Sequence, residues 1–151
     1  MTSTTDWRTL EQAPPAPELH SPRGAPRVVL DQRFDAGSLF GLRSAVIAHA
    51  IALGNAQVVE ELALVAHELA TNAVRHGGGR GRLRLSVAGR RLWCEVSDDG
   101  PGLPDPVHLG TELPAPNNAG GRGLWIARQM SDLTIDTTPI GTTITAVIPK
   151  R

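Results

Sequence analysis

The chain has 151 residues, 40% of them hydrophobic, and its 15 basic and 15 acidic side chains cancel. That length fits one domain with a real core, and zero net charge excludes a global field that would draw the protein to DNA or an anionic membrane. Cys94 is the only cysteine, which excludes a disulfide framework and a thiolate metal cluster, and no apolar run approaches the ~20 residues of a membrane-spanning helix.

Residues 1–26 read as a disordered, proline-rich tail. Pro14, Pro15, Pro17, Pro22 and Pro26 interrupt any helix, and apolar periodicity is absent. No charged start is followed by an apolar stretch, so no signal peptide is expected and a cytoplasmic location is the default. The domain, residues 27–151, opens with a strand at 27–35. Residues 38–53 have helical spacing at Leu39, Leu42, Val46, Ala50 and Leu53. A second helix spans residues 56–76 and stops at Gly77, Gly78 and Gly79, with Val58, Leu62, Val65, Ala66, Leu69 and Ala73 as its core stripe. Residues 82–88 and 91–98 alternate as strands around a Gly89-Arg90 turn. A long loop with five prolines fills residues 101–120, a short helix follows at 122–130, and strands at 133–138 and 142–148 close the chain. These elements predict an α+β fold, a two-layer sandwich with helices on one face of a mixed, mostly antiparallel sheet. A loop of such length is expected in a compact domain only as a lid or binding loop, here residues 103–120.

Four short stretches then stand out. Glu68, Asn72 and His76 recur every four residues along one edge of the second helix's apolar stripe. By themselves they would be a solvated edge, with His76 offsetting the helix dipole. His67-Glu68 begins a zinc-protease pattern, but Thr71 stands where the second histidine is required. Asp98 shares parity with Leu92, Cys94 and Val96, so its carboxylate faces the core side and must be paired. Gly100 and Gly102 leave room for a ligand to approach, and no strand follows to make this a hairpin turn. Gly121-Arg122-Gly123 opens a helix whose free amides suit phosphate. It follows a loop instead of a strand, which excludes a dinucleotide-binding fingerprint. Gly141-Thr142 heads the last strand, and the parity of Thr142 with Ile144 and Ile148 turns its hydroxyl inward beside Asp98.

In this order the stretches resemble the boxes of the GHKL ATPase superfamily, which includes gyrase-type topoisomerases, heat-shock chaperones, mismatch-repair proteins and histidine kinases. The wording around residues 68–76 and 120–124 looks most like the small anti-sigma factor serine/threonine kinases. The resemblance covers roughly residues 27–149 and implies the Bergerat fold with ATP held under a lid. It further implies that Asn72 is the Mg²⁺ ligand, that Glu68 is the general base and that Asp98 reads adenine with help from Thr142. His76, Gly100, Gly102, Gly121, Arg122, Gly123 and Leu124 would complete the nucleotide site. Implied partners are a sigma factor and an anti-sigma antagonist protein, with no direct contact to nucleic acid or membrane; a homodimer stays open. Three functional classes follow: a protein serine/threonine kinase that also holds a sigma factor, a non-catalytic ATP-dependent binding switch of the same fold, and a scaffold without nucleotide. Asn72, Asp98 and the glycines argue against the third.

Overall fold

A computed structural model describes residues 26–104, 106, 110–112 and 122–149. The expected tail up to residue 25, much of the expected lid and Gly121 lie outside the described residues. Strand β1 (Arg27–Asp35) leads through a 3-10 turn (Ala36–Ser38) into helix α1 (Leu39–Ile51) and helix α2 (Ala56–His76). Strands β2 (Arg80–Ala88) and β3 (Arg91–Asp98) form a hairpin; helix α3 (Arg122–Met130) and strands β4 (Asp132–Thr138) and β5 (Gly141–Pro149) complete the fold.

Local chemistry explains several boundaries. Expected helix 38–53 begins later, because Asp35 and Ser38 form a reciprocal cap: Ser38 N–H donates to Asp35 Oδ1 at 3.1 Å and Asp35 N–H donates to Ser38 Oγ at 2.9 Å. The pair closes the 3-10 turn, and the α-helix starts at Leu39. Asn55 caps α2 by accepting the Val58 N–H at 3.0 Å. That helix ends where Gly77 N–H reaches Ala73 O at 2.7 Å, and Gly78 and Gly79 then take φ of 89° and 86°.

The strands lie in the order β1-β2-β3-β5-β4, and every neighbouring pair is antiparallel. The α+β sandwich is as expected, but the sheet is not mixed. Two helices separate β1 from β2, and each reverses the chain, so the strands meet in opposite directions. One helix separates β3 from β4, which would set them parallel, but β5 lies between them. Alternation gives the sheet two unlike faces. Leu83, Leu85, Leu92, Cys94, Val96, Ile144, Ala146 and Ile148 are buried on the helix side. They meet α2, whose Val58, Leu62, Val65, Ala66, Leu69 and Ala73 are all at most 1% exposed. On the opposite face Arg82 grips Asp31 through two hydrogen bonds of 2.7 and 2.6 Å. In the helix layer α1 packs on β1 and α2, α2 packs centrally on β2, β3 and β5, and α3 packs on α2, β4 and β5.

Cys94 sits in the centre of this core, and burial, with a contribution from the Glu95 charge, pushes its thiol up to about 12 from an ordinary 9.0. A thiol so placed stays neutral and unreactive in the native state. The unfolded chain releases this proton near its ordinary value, so the stability gained by keeping it is full below about pH 9 and is lost as pH rises towards 12. The chain has no tyrosine and a single lysine, which leaves few other groups to titrate in that window. Urea unfolding at stepped alkaline pH should therefore show stability falling with a limiting slope of about 1.4 kcal/mol per pH unit. Cys94→Ala should flatten that slope; an unchanged slope would assign the effect to other groups.

Candidate functional site

The site gathers where α2 ends, β3 ends, β5 begins and α3 begins. Glu68 and Asn72 are half-buried on one face of α2 and His76 is exposed at its end. The Glu68 carboxylate lies against Gly123 in the first turn of α3, so that a Cβ at Gly123 would strike Glu68 Oε2. Amides at a helix start lack intrahelical partners, and a carboxylate there is favoured. Asn72 has no hydrogen-bond partner among the described residues, and Thr71 Oγ1 beside it is buried without one. A half-exposed amide one turn from a carboxylate is accessible to a ligand.

Asp98 is enclosed by glycine. Its Oδ1 accepts the Gly100 N–H at 2.9 Å. A Cβ at Gly77 would overlap the Asp98 carboxylate, and one at Gly100 would stand 2.5 Å from Gly77 Cα. A Cβ at Gly141 would stand 2.6 Å from the Asp98 carbonyl oxygen. Helix end, strand end and strand start thus approach closely at three glycines, and the Asp98 carboxylate is held where they meet. One carboxylate oxygen is engaged with Gly100, and the group retains lone pairs for a second donor.

Thr142 faces Asp98 across the β3–β5 ladder and is 3% exposed. Its hydroxyl lies 2.7 Å from that of Thr137, and Thr137 Oγ1 accepts the Leu103 N–H at 2.9 Å. Inward orientation of Thr142 is as expected, but its hydroxyl partner is Thr137. Gly102, at φ 91°, lies so close to Thr138 O that a Cβ would strike it, which fixes where the long loop leaves the sheet.

Asp98, Gly100 and Thr142 meet at the end of α2 with Gly77 and Gly141; Gly102 lies against Thr138, Glu68 meets Gly123 at the start of α3, and Asn72 lies on α2 one turn from Glu68 and one turn from the helix end. Arg122 is exposed at the start of α3. Leu124 is 3% exposed and its side chain belongs to the core, so it can serve a ligand only through its backbone. Sequence reading missed two residues. Gly77 was legible only as a helix stop, although it backs Asp98. Thr137 shares the inward parity of Leu133 and Ile135 and is half-buried, which is the one signal that could have separated it from the exposed Thr134 and Thr138. A cavity of about 570 Å³ also touches Asp98, but it opens among Arg33, Arg80, Arg82 and Asp99. Glu68, Asn72 and Thr142 do not line it, so it lies apart from this constellation.

No three His, Cys, Asp or Glu side chains converge among the described residues. A zinc- or calcium-type cage is thus not built from them. Mg²⁺ bound to a nucleotide needs less, because it keeps waters and phosphate oxygens and takes only one or two protein oxygens. The half-exposed amide of Asn72, without a partner among the described residues, and the Gly123 start of α3 fit that group.

The sequence model of the histidine kinase-like ATPase domain matches residues 35–148. Among solved structures, the histidine kinase domain of the Erythrobacter litoralis EL346 blue-light activated histidine kinase is 23% identical with a TM-score of 0.51, covering 76% of this chain and 60% of that one. A larger structure of the same kinase gives 22%, 0.53, 78% and 42% in the same order. The Acinetobacter baumannii histidine kinase AdeS is 14% identical with a TM-score of 0.50, over 98% of this chain and 77% of that one. The chain therefore spans less than two thirds of the blue-light kinase structures, and these likenesses concern the fold. No curated protein matches.

Gly77→Ala tests the backing of Asp98. The added methyl must displace the carboxylate or part the helix from the strand. Losing one charged hydrogen bond, about 1.5–3 kcal/mol, corresponds to a roughly tenfold to hundredfold loss in affinity. Calorimetry with Mg-ATP should show that loss while circular dichroism stays unchanged; wild-type affinity would show that Asp98 does not depend on Gly77.

Proposed function

The chain belongs to the histidine kinase-like ATPase domain family, and on that premise we propose that it is an ATP-dependent protein serine/threonine kinase of the anti-sigma factor type. The observation that carries this reading is the placement of the Glu68 carboxylate beside the first turn of α3, one helical turn from Asn72, whose amide has no partner among the described residues. In this reading Asp98 accepts the adenine amine, supported by Thr142, and the amides at the start of α3 hold phosphate with Arg122 adding charge. Asn72 contributes an amide oxygen to Mg²⁺. Bound Mg-ATP supplies the phosphoryl group and neutralises charge as it transfers. Glu68 takes the proton from the attacking hydroxyl of a partner serine or threonine. The partner is a small antagonist protein, and a sigma factor binds the same domain surface.

A second reading has its own support. A carboxylate at a helix start is stabilising without any chemistry, so Glu68 can serve α3 alone. The protein would then be an ATP-dependent binding switch that transfers nothing.

One pair of variants separates the two. Glu68→Gln should keep Mg-ATP binding and lose phosphoryl transfer by about 10²- to 10⁴-fold, the usual range for one proton-transfer group. Asn72→Ala should instead lose the magnesium-dependent part of binding. The assay mixes labelled ATP with the purified protein and with proteins encoded beside it. Transfer unaffected by Glu68→Gln removes Glu68 from the mechanism, and absence of transfer by the wild type favours the switch.

A further inference from the structure

The face of the sheet turned away from the helices carries one largely apolar row. Register sets Val28, Ser86, Trp93 and Val147 side by side on β1, β2, β3 and β5, and a second row of Asp31, Arg84, Glu95 and Thr145 lies next to it. A hollow of about 410 Å³ crosses the strands here, lined by members of both rows and by Pro26, the residue before β1. Among the described residues three buried side-chain polar atoms lack a hydrogen-bond partner, and two of them, Trp93 Nε1 and Arg84 Nε, belong to this hollow. Both are donors, and a buried indole N–H ordinarily has an acceptor. Trp93 is half-buried and the Arg84 side chain is 42% exposed, so a small rotation turns either N–H into the hollow.

An occupant of this hollow must be narrow, must bring carbonyl oxygens and must pack on an indole. A polyproline-type segment meets all three conditions: its carbonyls make no bonds within the segment, and proline-rich chains dock on aromatic-lined grooves. The chain supplies one at the right place. Residues 21–25 read Ser-Pro-Arg-Gly-Ala and run directly into Pro26. The prolines at 22 and 26 push Ser21 and Ala25 into extended backbone. At a rise of about 3.1 Å per residue, Pro22 lies roughly 12 Å from Pro26; two strand spacings, about 10 Å, separate β1 from β3. That distance brings Pro22 over Trp93. Arg23 then stands beside Glu95, which has no ion pair among the described residues. We propose that residues 21–25 lie across the open sheet face in this hollow, with the Pro22 ring on the Trp93 indole, a carbonyl of the segment accepting from Trp93 Nε1, and Arg23 beside Glu95. The contact need not be strong. A segment tethered this closely is present at an effective concentration of roughly 1 mM, so an intrinsic dissociation constant of about 0.1 mM leaves it docked about 90% of the time.

Hydrogen exchange at the Trp93 indole N–H, followed by NMR on the full chain, tests this. The chain has three tryptophans, and Trp93→Phe identifies the resonance. Pro22→Gly with Arg23→Gly, both outside the core, should shift that resonance and speed its exchange roughly tenfold, the protection that such a docked fraction confers. Exchange and shift unaltered in this variant overturn the proposal. Exchange that slows as protein concentration rises assigns the docking to another copy and overturns it as well. A nitroxide on Ser21→Cys gives a second measure, selective because Cys94 is buried. It should broaden the Trp93 indole and Thr145 amide signals and spare the Ile51 amide, which ends α1 on the helix side of the sheet. Equal broadening of all three overturns the assignment of the segment to the open face.

Discussion

The whole arrangement depends on one close approach, that of Gly77 to Gly100 and Asp98. A helix ending over a sheet is normally held off by its last side chains. Here a residue without a side chain lets the terminus of α2 settle against the end of β3, with the Asp98 carboxylate filling the space a Cβ would take. The rest follows from that depth. Asn72 lies one turn before the helix end and so stands beside the strand's end. Gly141 brings β5 against the Asp98 carbonyl, which sets Thr142 into the same group. The group around Asp98 is thus assembled from segments spread over residues 77–142, largely by close backbone approaches at Gly77, Gly100 and Gly141, which do not adjust as side chains would.

Much of this was legible in the sequence, and the reasons differ by element. Helix 56–76 has a capping asparagine, a continuous apolar stripe and a triple-glycine stop, and its observed limits are those read. Strand 91–98 shows clean alternation up to an aspartate and a glycine, and its limits also match. Strand ends that depend on partners were less visible. Arg80 and Gly81 belong to β2 because they pair with Asp35 and Phe34, a long-range fact that period-two counting near a glycine cannot supply. The antiparallel character of the whole sheet likewise depends on β5 lying between β3 and β4, which no local pattern encodes. Individual site residues were found where chemistry is unusual for its position, as with the Asp98 carboxylate on the core-facing parity of its strand. Thr137 was missed although its parity with Leu133 and Ile135 turns it inward, because threonine is ordinary in a strand and its partner Thr142 lies on the next one.

Glu68 stands between structure and chemistry. The same helix start that would attract phosphate also attracts this carboxylate. Their charges repel, so a bound phosphate and an ionised Glu68 can share the neighbourhood only if cations lie between them. A nucleotide arriving with its metal satisfies that condition, and Asn72, a neutral oxygen donor, adds no further negative charge. This gives a physical reason for an amide, and not a second carboxylate, one turn beyond Glu68.

The pair of threonine hydroxyls has a directional consequence. Thr137 Oγ1 accepts the Leu103 N–H and shares a hydrogen bond with the Thr142 hydroxyl in which either oxygen can donate. When Thr137 donates, the Thr142 proton is left for a ligand atom with an exposed lone pair; when Thr142 donates, it offers a ligand only lone pairs. Asp98 beside it offers carboxylate lone pairs in both cases. In the first ordering one wall of the site carries an acceptor and a donor side by side, the complement of an edge whose own donor and acceptor are neighbours in a planar ring.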